Sequence, residues 1–135
     1  CAIVKGSRNY LLLQVRPQEA RFAGGLLTCF GGLREPEEDP LTCIKRELLE
    51  ELGWEPAHAQ PKVELWEAKR YIALFFEITV GSCTDYVTEP GDVAIWAPWP
   101  SLPGLPLSPW HRSALNAWSS GMRRVDMTDV SSPAR

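Results

Sequence analysis

No two cysteines in the sequence are spaced as C-x-x-C: the four thiols, Cys1, Cys29, Cys43 and Cys83, are scattered along the chain. Zinc ribbons and thioredoxin-type redox pairs lack their spacing here, and buried free thiols are the expectation. Positive charge is also short, with 14 Lys and Arg against 17 Asp and Glu and a net charge of −3. Nothing general would draw in nucleic acid or an anionic membrane, so neither is an expected partner, and a polyphosphate would need local arginine or a bound cation. No apolar run approaches the roughly 20 residues of a membrane span, which sets a soluble, reducing, cytoplasmic location as the expectation. A P-loop is missing, as is any Ser-His-Asp constellation. His58 and His111 have no partner pattern and read as surface or helix residues.

What is present suffices for one domain: 135 residues, 44% of them hydrophobic, can close a single core without disulfide staples. Cys1 to Val4 and Tyr10 to Val15 read as a β-hairpin across a glycine-containing turn. The triple Leu11-Leu12-Leu13 breaks strict alternation and predicts a strand covered on both faces. An irregular loop, Arg16 to Gly25, is followed by a brief extended run, Leu26 to Phe30. Lys62 to Lys69 and Tyr71 to Val80 are further strands, the second too continuously apolar for a sheet edge, and Asp92 to Trp96 is another. Prolines 98, 100, 103 and 106 forbid regular structure until Ser108-Pro109 opens a helix to about Ser119. Residues 1–120 are thus expected as one unit, with 121–135 a flexible polar tail. The class is α/β, a mixed β-sheet sandwiched between helices.

The chemistry lies between Gly31 and Trp54, GGLREPEEDPLTCIKRELLEELGW. Asp39-Pro40 is a helix start, with Asp as N-cap and Pro at the first helical position, where a missing N–H costs nothing. Gly53 is placed to stop the helix in a left-handed conformation. Leu41, Ile44, Leu48 and Leu52 form one apolar stripe. Glu47, Glu50 and Glu51 fall at i, i+3 and i+4, on one face. Like charges that close destabilise a helix, and a cation between them would relieve the repulsion.

Gly32, Glu38, Arg46, Glu47, Glu50, Glu51 and Gly53 stand at the spacing G-x5-E-x7-R-E-U-x-E-E-x-G-U, with U a bulky apolar residue. At roughly 5–7% per fixed residue type, seven such positions agree by accident on the order of once in 10⁸ windows or fewer. Residues 32–54 therefore strongly resemble the signature of the Nudix hydrolases. The resemblance implies a Nudix-like α/β/α sandwich and a divalent-metal-dependent pyrophosphohydrolase. Its substrate would be a nucleoside diphosphate linked to another moiety: a nucleoside triphosphate, a nucleotide sugar or a dinucleoside polyphosphate. It implies Mg²⁺, or Mn²⁺, held by Glu50 and Glu51, with Glu47 as a further ligand or as the base on the attacking water. The Gly31 carbonyl is a further candidate ligand, and Arg46 would pair with Glu38 or Glu47 to orient it. Family members often dimerise, which leaves room for a homodimer.

Three departures from the family pattern bear on these roles. Trp54 fills a position that is usually aliphatic. Cys29-Phe30 precede the glycine pair where many members have Pro, so the turn is less rigid. The downstream acidic residue that many members use as an extra ligand or base has two equal candidates, Glu89 and Asp92. For substrate contacts, Arg16, Arg21 and Phe22 lie in the loop before the signature, where a phosphate clamp or a base-stacking surface could form. Tyr71 lies near where dinucleoside polyphosphate hydrolases of this family tend to carry a Tyr. The rival reading is a sensing Nudix domain that binds a nucleotide or sugar nucleotide without turnover.

Overall fold

The computed structural model describes residues 1–80 and 93–129. Among these residues seven strands form one mixed sheet: β1 (Ala2–Lys5), β2 (Tyr10–Val15), β3 (Leu27–Thr28), β4 (Gln60–Glu67), β5 (Arg70–Thr79), β6 (Val93–Pro98) and β7 (Arg124–Asp126). Their order is β3-β2-β1-β5-β4-β7, with β6 paired to β2. Since β6 runs along Tyr10 to Val15, β1 and β3 share the other edge of β2. The β1–β5 and β4–β7 pairs are parallel and the others antiparallel. Helices α1 (Pro40–Leu52) and α2 (Pro109–Ser119) cover the two faces.

Alternation along the central strands assigns each face. Ala2 and Val4 of β1, Leu12 of β2, and Phe76 and Ile78 of β5 pack with Ile44, Leu48 and Leu52 of α1. Ile3, Leu11, Leu13 and Phe75 point the other way and pack with Ala114, Leu115 and Ala117 of α2. The three leucines of β2 are therefore buried on both sides, and β5 lies inside the sheet, as their apolar runs predict. A fully buried Leu such as Leu48 contributes about 2 kcal/mol of transfer free energy to docking α1.

Four details differ from the sequence reading. Leu41 is 39% exposed and stands outside the apolar stripe, where Cys43 takes the inward place. Position 41 lies in the first turn of the helix, where periodicity alone misassigns it. Residues 99–104 make a 3-10 turn despite their prolines, closed by Leu105 N–H donating to Leu102 O. His111 is a helix residue, as one of its two readings has it, but a buried one, at 6% exposure.

The fourth difference is at the chain's end. Residues 124–126 form an edge strand within the stretch read from sequence as a tail: Glu64, Leu65 and Trp66 of β4 pair with Arg124, Val125 and Asp126. The Arg124 guanidinium lies over the Trp66 ring, 4.1 Å from its centroid, and Met127 is buried in the α2-side core. A cation on an indole face and two apolar anchors, Met127 and the partly buried Val125, hold this segment.

Candidate active site

Helix α1 forms where its signals predict. The Asp39 carboxylate accepts the Thr42 N–H at 2.7 Å, and Gly53, with φ 66°, donates its N–H to Leu49 O. The apolar face thus fixed to the sheet, Glu47, Glu50 and Glu51 are carried on the adjoining face, toward the loop that holds Gly31 and Gly32. At Gly32 a Cβ would fall 2.5 Å from the Glu47 carboxyl group, so only glycine lets that side chain lie where it does. Cys43, turned inward, brings its thiol to 4.0 Å from the Gly32 carbonyl.

Arg46 organises the carboxylates. Its Nε and Nη2 donate to the two oxygens of Glu38 at 2.8 and 3.0 Å, a bidentate fork. Its Nη1 donates to Glu47 at 3.0 Å and reaches Glu50 at 3.4 Å, and Nη2 also meets the Leu33 carbonyl. Sequence offered Glu38 or Glu47 as its partner; it takes both. The guanidinium, together with the Glu35 N–H, holds the Glu38 carboxyl down to about 2. Because Arg46 remains partly exposed, this arrangement serves orientation more than stability.

The donor set suits a hard divalent cation, being all oxygen, and Oε2 of Glu51 is sealed from solvent on the helix. Among the described residues no three acidic, imidazole or thiol groups form a closed cage by themselves. Arg46 is lodged between Glu47 and Glu50, and Glu50, at 56% exposure, is free to swing. Such an open half-site fits Mg²⁺, which usually completes its sphere with water and substrate phosphate. Glu89 and Asp92 lie outside the described residues.

Beside Gly31 and Gly32 opens a cavity of about 470 Å³, lined also by Gln14, Arg16, Phe22 and Thr28, with Trp110 and His111 from the start of α2. Of the substrate contacts expected from sequence, Arg16 and Phe22 are here; Arg16 Nε donates to the Phe22 carbonyl. Arg21 is exposed and does not line the cavity. Tyr71 does not line the cavity, whose wall includes its neighbours Ile72 and Ala73; its ring lies edge-on to Trp66 at 5.6 Å.

Sequence reading missed His111, Trp110, Gln14 and Thr28. The available signals were a polar Gln inside an apolar strand and a Trp-His pair just inside a helix start. Phe22 packs against Trp110 at 5.3 Å, and Trp110 Nε1 donates to Glu67, fixing that wall. The Cys29 N–H donates to His111 Nδ1 at 2.8 Å.

Burial, chiefly, holds the His111 imidazole at about 3, below its ordinary 6.5. Between those values the unfolded chain binds a proton that the folded chain refuses. The stabilisation is therefore complete above pH 6.5 and is lost as pH falls toward 3, at about 1.4 kcal/mol per unit. Urea unfolding at pH 7 and pH 5 is expected to differ by about 2 kcal/mol more for the natural chain than for His111→Asn.

Residues 1–117 match the family model described as NUDIX domain. Among solved structures, a MutT protein from Methanosarcina mazei Go1 superposes with a TM-score of 0.68 at 18% identity, covering 88% of this chain and 89% of that one. The E. coli ORF135 protein gives 0.65 at 22% identity, with 99% and 91% covered. The NUDIX domain of Shewanella oneidensis NrtR, complexed with ADP ribose, gives 0.62 at 17%, with 87% and 80% covered. No curated protein matches the chain by sequence. At these identities the likeness is one of fold.

Proposed function

The chain belongs to the NUDIX domain family, that of the Nudix-type hydrolases acting on pyrophosphate bonds, and from that premise we propose that it is a divalent-metal-dependent pyrophosphohydrolase of nucleoside diphosphate derivatives. One observation carries the reading: the Arg46-held Glu47 carboxylate of α1 borders Gly32, and Gly31 and Gly32 line the 470 Å³ cavity. A carboxylate platform thus adjoins an aromatic-walled space with room for a nucleoside.

In this proposal Glu50, Glu51 and the Gly31 carbonyl hold the cation, and Glu47 either joins them or takes the proton of the attacking water. A bound Mg²⁺ would neutralise phosphate oxygens and acidify a water. Arg46 keeps Glu47 aimed, with Glu38 behind it as a fixed counter-charge. Arg16, partly exposed at the cavity wall, is suited to steady a phosphate. Phe22 and Trp110 exclude water from one side of the bound nucleoside.

A panel of nucleoside triphosphates, nucleotide sugars and dinucleoside polyphosphates, incubated with Mg²⁺, tests the reading. At least one member is expected to yield a nucleoside monophosphate together with pyrophosphate or a phosphorylated second product. Tight binding with no product after long incubation would replace hydrolysis by sensing.

A further inference from the structure

His111 is placed to do more than close the core. It is the third residue of α2, more than nine-tenths buried, and lines the cavity together with Gln14 and Thr28. Its Nδ1 accepts the Cys29 N–H, and a ring nitrogen that accepts cannot bear the proton. In the neutral ring the proton must then be on Nε2. The bond to Cys29 is the one hydrogen bond that the His111 side chain makes among the described residues. Edge-on packing with Phe75, ring centroids 5.5 Å apart, fixes the plane of the imidazole. The result is a donor of fixed direction and fixed tautomer in a space whose other walls are largely aromatic and aliphatic.

Resting on the hydrolase reading above, we propose that His111 is a specificity-determining residue: its Nε2–H donates to a ring carbonyl oxygen and so selects oxo-bearing nucleobases over their amino counterparts. Chemistry sets the direction of the preference. A 6-oxopurine or a 4-oxopyrimidine presents an acceptor at the position where adenine or cytosine presents an amino donor. Two donors facing each other in a buried site leave both unsatisfied. A histidine free to change tautomer could accommodate either base; one whose Nδ1 is occupied by a backbone N–H cannot. Burial adds to this by keeping the ring neutral near pH 7, so the donor is present without a charge.

The test compares GTP with ATP, and UTP with CTP, in the full chain with Mg²⁺. The natural protein is expected to favour the oxo member of at least one pair by about tenfold or more in kcat/KM. His111→Asn is the informative variant, because its Oδ1 can replace Nδ1 in accepting the Cys29 N–H while the Nε2 donor is lost. In that variant the ratio should fall to within about twofold, through KM for the oxo nucleotide, with kcat largely kept. A merely structural role would lower kcat for all four alike and leave the ratios unchanged. His111→Gln, whose amide can reach the Nε2 position, should recover part of the preference. Equal kcat/KM within both pairs for the natural protein, or a ratio that survives His111→Asn, overturns the proposal while leaving hydrolysis intact. If no member of the wider panel of nucleotides, nucleotide sugars and dinucleoside polyphosphates is turned over, the hydrolase reading fails. Equilibrium titration with the same four nucleotides then reads the ratio directly, and equal affinities overturn it.

Discussion

Glu51→Gln is expected to lower kcat by at least about 100-fold at saturating Mg²⁺ while leaving the thermal midpoint within a few degrees of the natural protein's. The substitution keeps shape and helix propensity and removes only the charge. Stability of α1 comes from other groups: the Asp39 cap, the left-handed Gly53 and the burial of Ile44, Leu48 and Leu52. Glu51 contributes a carboxylate with one oxygen sealed against the protein, a position from which an anionic ligand to a cation is hard to replace by an amide. Turnover measured beside a melting curve separates loss of the site from loss of the fold. Near-full activity in the variant would remove Glu51 from the metal set without touching the family assignment.

Chelation should have the larger effect. EDTA is expected to bring hydrolysis below detection, and excess Mg²⁺ to restore it. The reason is local charge. Four carboxylates, Glu35, Glu38, Glu47 and Glu50, share the one guanidinium of Arg46 at distances from 2.8 to 3.8 Å. Glu51 adds to that negative surface on a chain whose net charge is already −3. A polyphosphate approaching this face meets repulsion unless cations stand between. Hydrolysis that continued at full rate in EDTA would contradict the mechanism itself.

Much of this was legible in the sequence because it is local. Asp39-Pro40 and Gly53 bound the helix correctly, since each acts on backbone groups within a few residues. Leu11-Leu12-Leu13 announced a strand between two layers because both faces must be apolar for that to hold. The spacing of Arg46 to Glu38 and Glu47 carried the ion network. What the sequence left hidden is non-local. A tail strand held by Arg124 over Trp66 depends on a partner some sixty positions away. His111 as a buried acceptor depends on Cys29 N–H, across 82 positions, and a buried histidine looks in sequence like an exposed one. Tyr71 failed as a cavity residue for the opposite reason: a single aromatic on a strand can face either way, and a shift in pairing between Leu65 and Trp66 occurs just opposite it.

The bond from Cys29 to His111 also sets a length. One residue, Phe30, separates Cys29 from Gly31, a chain span of no more than about 7 Å. The residue that would read the base and the carbonyl that would face the cation are therefore tied to the two ends of a short ruler, and its length, rather than the strength of either end, governs which substrates reach both. An inserted residue at Phe30 would leave His111, Cys29 and the α1 carboxylates chemically unchanged, yet it would put base recognition and bond cleavage out of register.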